Sequence, residues 1–259
     1  MRHFPAEFAD LLTRRGAALL AGRHPAAGAL ADPRCRFLAL GGLVDARQAT
    51  AAAGLLDRLL LPHLRPMVQP IPPETIWEET RNYAERLPKT MRQWTAHLDN
   101  PRSAGFRAAT EAGLIAMLRS DSYRTFAAAL AGARLKRKYG LQALAYGAGD
   151  YAGPHTDHHP EEPEAVRGYF DMHVSCAGPG LRDQYLVYAK AGHLTEMTDV
   201  AKSGMVTAYR LPLWHYTTPL RARPDHEGTV RRWILLGTFL YSDPADGQGR
   251  RPAAAQGAR

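Results

Sequence analysis

Hydrophobic residues recur at helical spacing through the first half of the chain and lose that spacing after residue 135. Residues 5–22 place Phe8, Leu11, Leu12, Ala18 and Leu19 on one side of an amphipathic helix. A short apolar strand is predicted at 36–40, broken by Gly41 and Gly42, after which Asp45 can cap a helix running to about Leu61. Pro62, Pro66, Pro70, Pro72 and Pro73 make an irregular connection. A helix is expected at 74–87, with Thr75 and Glu78 near its start and Pro88 ending it. Residues 102–119 are Ala-rich and read as helical, and Asp121 or Ser122 can cap a further helix that ends near Gly132. Strand-like runs then follow at 135–146, 169–175, 184–189, 205–210 and 232–241, punctuated by Gly178-Pro179-Gly180 and by Gly192. Helices followed by short strands predict an α+β fold with a sandwich or barrel in the second half. The expected organisation is a helical support region at 1–134 packed on a β core at 135–242 within one domain. The run from Asp243, rich in Gly, Pro, Ala and Arg, reads as a disordered tail at 243–259.

The chain has 259 residues, 45% apolar and 22% charged, which is ordinary for a globular protein. No apolar run reaches the eighteen or so residues of a membrane helix, and the start lacks the apolar core of a secretory leader. The expectation is a cytoplasmic protein with no membrane association. Cys35 and Cys176 are the only cysteines, too few for a disulfide framework or a four-thiolate metal site. The net charge of +8 weakly favours an anionic substrate. Its arginines are scattered, several of them at Arg250, Arg251 and Arg259, and form no stripe interleaved with aromatics. Nucleic-acid binding is therefore not expected.

The chemistry gathers at 146–157, where Tyr146 is followed by Gly147, Gly149, Tyr151 and Pro154, then by His155 and Asp157. Two positions apart on a strand, His155 and Asp157 would share a face and point at one centre. His215, 60 residues beyond His155, lies in another strand-like run. Two histidines and a carboxylate with open positions make the facial triad of non-haem Fe(II) oxygenases.

This stretch resembles the Fe(II)/2-oxoglutarate-dependent dioxygenase superfamily, most of all its prolyl-4-hydroxylase-like branch. The shared pattern is a strand tyrosine, a glycine turn, an aromatic and His-x-Asp. The run Trp214-His215-Tyr216-Thr217-Thr218-Pro219 resembles the branch's distal histidine motif, with proline four residues after the histidine. Gly228 to Leu236, which includes Arg231, Arg232 and Trp233, resembles the glycine, basic residue and apolar strand that close the family's barrel. The resemblance covers about 135–242.

The resemblance implies a double-stranded β-helix, or jelly-roll, core. It implies that His155, Asp157 and His215 hold Fe(II), with 2-oxoglutarate and O2 as co-substrates. The far carboxylate of 2-oxoglutarate would need a buried arginine. Arg231 and Arg232 alternate on a strand, so one of them faces the interior, and Arg232 aligns better with the family's run. Ile234 stands where the family often has a hydroxyl. Tyr146 is the second candidate for that carboxylate, and Gln142 shares its face. Tyr151 is read as packing. Among the other histidines, His158 and His159 fall in a polar loop with Glu161, Glu162 and Glu164. His173 reads as a satisfied barrel residue, His193 as a turn residue, and His226 as the rival of His215. Family members that halogenate have a small residue where Asp157 stands, so hydroxylation is expected, with desaturation an alternative.

The expected activity is hydroxylation of an unactivated C–H bond in a small molecule, a free amino acid or related metabolite. The alternatives are a barrel that only binds, a cupin-type enzyme needing no 2-oxoglutarate, and a hydroxylase of protein side chains. The sequence leaves open whether the protein is a monomer or a homodimer.

Overall fold

A computed structural model describes residues 1–70, 90–157, 168–190 and 193–242. The helix expected at 74–87, the loop of His158 and His159, the turn at Gly192 and the tail at 243–259 lie outside the described residues.

The helices are shorter than the pattern predicts, because capping residues interrupt it. The stretch expected as one helix at 5–22 is a 3-10 turn, Phe8–Leu11, followed by α1, Arg14–Leu20. Between them Thr13 is extended, and its hydroxyl accepts from the Gly16 N–H to start α1. Asp45 caps α2, Ala46–Leu59, by accepting from the Gln48 N–H. The Ala-rich stretch divides at Gly113, which takes φ 80° between α3, Ala104–Glu111, and α4, Leu114–Leu118. The last helix, α5, is Asp121–Ala131; Ser120 caps it, not Asp121 or Ser122, and Gly132 closes it in the left-handed region.

Thirteen strands are described: β1 Phe37–Leu40, β2 Pro66–Pro70, β3 Thr90–His97, β4 Gly140–Tyr146, β5 Tyr151–His155, β6 Tyr169–Ala177, β7 Leu181–Asp183, β8 Tyr185–Lys190, β9 His193–Asp199, β10 Val206–Arg210, β11 His215–Thr217, β12 Arg221–Ala222 and β13 Arg232–Leu240. Ten run side by side in the order β1-β10-β6-β13-β4-β3-β5-β11-β8-β9, with β2 added beside β3. Every pairing in this sheet is antiparallel. The sheet folds over on itself as a jelly roll. The fold at its middle is made by β3, which pairs β4 through Trp94 to His97 and β5 through Met91 and Arg92. Three strands of the sheet thus precede residue 134, in the half of the chain whose pattern is mainly helical.

Alternation along β13 and β6 sets the layers. On β13, Trp233, Leu235 and Phe239 face the helices and join the main core with Leu55, Leu56, Phe126 and Leu130. Arg232, Ile234, Leu236 and Thr238 line the barrel interior. On β6, Phe170, Met172, Val174 and Cys176 belong to that core, and Asp171 and His173 line the interior. Both strands are therefore covered on two faces, by helices outside and by the cavity wall inside. The face of α2 turned to this core is built from Ala49, Ala52, Ala53, Leu55 and Leu56, small enough to let the helix approach the sheet. The Trp233 indole N–H donates to Asp57 on α2 at 2.8 Å, which pins the helix in register.

Candidate active site

His155 ends β5 and His215 begins β11, and the two stand directly opposite in an antiparallel pair. Their ring centroids are 4.4 Å apart, and both side chains are buried. Each ring is oriented by its own backbone. The Nδ1 of His155 meets the Gly153 carbonyl at 2.6 Å, and the Nδ1 of His215 meets the Leu213 carbonyl at 2.8 Å. A carbonyl only accepts, so Nδ1 carries a proton and Nε2 is the atom free to take a metal ion. Both Nε2 atoms meet Asp157: His155 Nε2 is 3.2 Å from Oδ1, and His215 Nε2 is 3.4 Å from Oδ2.

Asp157 does not reach this point as the sequence pattern suggests. It lies two residues beyond the last residue of β5 and takes φ 54°, in the left-handed region that non-glycine residues seldom occupy. The carboxylate is delivered by a turn, not by a shared strand face.

Burial opposes the charged form of both His155 and Asp157, but their mutual attraction prevails. The His155 pKa is raised and the Asp157 carboxyl is held well below the usual carboxylate range. The carboxylate is thus ionised, as a metal ligand must be. The three donor atoms lie within 4.8 Å of one another, and no other such group occurs among the described residues. Two neutral imidazoles and a carboxylate suit a borderline divalent ion such as Fe(II), so this donor set fits the metal that the motif implies.

The site opens into a cavity of about 490 Å³, of the size that takes small ligands. Arg232 lies on its wall and is 2% exposed. Its Nε donates to Ser175 Oγ at 3.1 Å and its Nη1 to Gln184 Oε1 at 2.8 Å. Burial lowers its pKa to about 10, so it stays charged at neutral pH. Arg231 goes the other way: its guanidinium lies over the Trp94 ring, 5.8 Å from the centroid, outside this cavity. Tyr146 pairs with Arg232 across β4 and β13 and lines the same cavity. Burial raises its phenol to about 12, and its hydroxyl bonds Thr217.

The turn that carries the motif is fastened separately. Asp150 accepts from the Gly147 N–H at 2.7 Å and from Arg92 Nε at 2.6 Å, and Gly149 takes φ 76°.

The competing histidines fall elsewhere. His173 Nε2 lies 3.1 Å from the Tyr209 hydroxyl, which is also 3.5 Å from His215 Nε2. Burial depresses the His173 pKa to about 3, so it is neutral. His193 opens β9 and is exposed, and His226 packs beside Gly180 in a loop. Tyr151 bonds Thr90 at 2.7 Å on the outside of the cavity. Gln142 does line the interior. Sequence reasoning did not find Ser175, Gln184, Asp171 or Tyr209. None belongs to a spaced motif; the one available signal was a polar residue inside an otherwise apolar strand.

Comparison with solved structures agrees with this topology. The chain resembles the non-heme alpha-ketoglutarate-dependent carbocyclase SnoK from nogalamycin biosynthesis at TM-score 0.52 and 10% identity, covering 91% of this chain and 86% of that one. It also resembles an oxidoreductase of the 2OG-Fe(II) oxygenase family from Burkholderia pseudomallei at TM-score 0.50 and 13% identity, covering 94% and 95%. The chain has the fold of the 2OG-Fe(II) oxygenases. A prolyl-4-hydroxylase from Pseudomonas putida is similar at TM-score 0.47 and 15% identity, covering 88% of this chain and 100% of that one. No family model and no curated protein matches the sequence. No described helix is long and apolar enough to cross a membrane.

Proposed function

We propose that this protein is an Fe(II)- and 2-oxoglutarate-dependent dioxygenase that hydroxylates a C–H bond of a small substrate, a free amino acid or related metabolite. The observation that carries this reading is the meeting of His155 Nε2, His215 Nε2 and the Asp157 carboxylate on the wall of a cavity that also holds a buried arginine. The three side chains hold the metal and leave open positions. Fe(II), when bound with 2-oxoglutarate and O2, supplies the oxidising chemistry that yields succinate and CO2 and hydroxylates the substrate.

The chain's own residues bind and orient. Arg232 takes the far carboxylate of 2-oxoglutarate, because Ser175 and Gln184 fix its Nε and one Nη1 hydrogen and leave Nη2 to donate. Tyr146 adds a phenol hydrogen bond from the neighbouring strand. Leu144, Ile234 and Leu236 keep the middle of the cavity apolar and limit its water.

Anaerobic titration of the protein with Fe(II) and then 2-oxoglutarate tests the reading. A weak visible charge-transfer band that grows in only with both, together with succinate release on admitting air, is the expected result. A protein that binds Fe(II) but gives no band would be a binding barrel. Activity that persists without 2-oxoglutarate would point to cupin-type chemistry.

A further inference from the structure

Most buried polar groups in a folded protein find a hydrogen-bond partner. Among the described residues, three buried side-chain oxygens on the wall of this cavity find none: Asp171 Oδ1, Gln93 Oε1 and Thr95 Oγ1. Asp171 is 2% exposed, and its only side-chain bond is to the Thr238 hydroxyl opposite it on β13. The Gln93 amide N–H₂ turns to the Met91 sulfur, and its oxygen has no hydrogen-bond partner among the described residues. Unpaired buried oxygens call for a ligand that brings donors.

The charges along the wall narrow the class of ligand. Arg232 is the one Lys or Arg on the described wall. It stands at the opposite end of β13 from Thr238, six residues away on an extended strand, or about 20 Å. Arg232 therefore cannot pair with Asp171, and the cavity has a guanidinium at one end and a buried carboxyl at the other.

We propose that Asp171 is the anchor of an amine subsite, with Gln93 and Thr95 as further hydrogen-bond partners along the wall, so that the substrate carries a protonated amine. This rests on the dioxygenase reading above and deepens it. It also reverses the leaning toward anionic substrates that the net charge of +8 suggests. An ammonium group donates up to three hydrogen bonds, and its charge favours the ionised form of the carboxyl beside it. A carboxylate at this end would bring acceptors alone and leave the Gln93 oxygen unpaired.

The test uses calorimetric titration with pentylamine and 1-pentanol, on wild type with and without Fe(II) and 2-oxoglutarate under anaerobic conditions. Pentylamine is expected to bind about tenfold or more tightly than 1-pentanol. Asp171→Asn should abolish that preference while Fe(II) and 2-oxoglutarate still bind. Thr238→Val, which removes the hydroxyl that steadies Asp171 and keeps the carboxyl itself, should reduce the preference several-fold. Equal binding of amine and alcohol to wild type, or a preference that survives in Asp171→Asn, overturns the amine subsite. Failure of Fe(II) or 2-oxoglutarate to bind wild type sinks the dioxygenase reading instead, and the metal-free titration still decides on Asp171.

Discussion

Arg232 Nη1 donates to Gln184 Oε1 at 2.8 Å in the interior of the barrel, between a residue 2% exposed and one fully buried. Neither side chain can turn away without leaving a buried polar group unpaired, so the guanidinium is held at one angle. A charge-assisted hydrogen bond is worth about 1.5–3 kcal/mol, roughly 10- to 100-fold in affinity. Arg232→Lys keeps a charge but loses the planar fork. It should weaken 2-oxoglutarate binding by roughly that factor and leave Fe(II) affinity unchanged. Anaerobic titration of each measures both. An unchanged 2-oxoglutarate affinity would move the anchor away from this strand position.

His155→Ala and Asp157→Ala each remove one donor of three. Both should lose Fe(II) binding at concentrations that saturate wild type, and with it succinate formation. The protein should remain folded by circular dichroism, because neither side chain belongs to a hydrophobic core cluster. Normal turnover in either variant would remove these residues from the metal site.

Asp171 gives a pH signature in the metal-free protein. Burial, with a further push from the Asp157 charge, raises its carboxyl from 3.8 to about 8. The folded state therefore holds a proton that the unfolded chain releases near pH 4. At low pH both states are protonated and Asp171 costs nothing. As pH rises from about 4 to about 8 the folded state loses stability relative to the unfolded one, and the loss is complete above that range. Asp171→Asn mimics the neutral form, so its melting temperature should exceed that of wild type by a margin that widens across this interval. A margin that stays constant with pH would show that the carboxyl titrates normally.

Trp233→Phe tests how the helical layer is held. The indole N–H is the hydrogen-bond donor to Asp57 Oδ1, and Asp57 has its carboxyl raised by burial. Removing the donor while keeping an aromatic ring should cost about 1–3 kcal/mol, because the acceptor is left unsatisfied. Urea denaturation gives the value. A change near zero would mean that water replaces the indole.

The sequence was most legible where chemistry is local. His155, Asp157 and His215 are findable because ligand type and spacing carry the signal, and β4, β6, β8, β10 and β13 because runs of apolar residues do. β3 escaped for a physical reason. Gln93, Thr95 and His97 line the cavity, so its inward row is polar and gives no hydrophobic alternation. The left-handed turn at Asp157 escaped because aspartate takes positive φ more often than most residues but still seldom, too weak a signal against a strand-like run. The long helices predicted at 5–22 and 102–119 were divided by Thr13 and Gly113, whose capping and turning roles depend on which carbonyls and amides lie nearby. Gln184, Ser175 and Asp171 matter only through partners far away in the chain, and a linear pattern does not hold that information.

β3 is hydrogen-bonded to β4 on one flank and to β5 on the other. The portion of the chain bearing the proposed metal ligands therefore has no closed wall of its own. Cut free of its first half, it would bare β4 along its length, with a row of amide and carbonyl groups lacking neighbours. Exposed strand flanks of that kind recruit other chains. Expressing residues 135–242 by themselves should thus yield aggregates instead of a minimal folded unit.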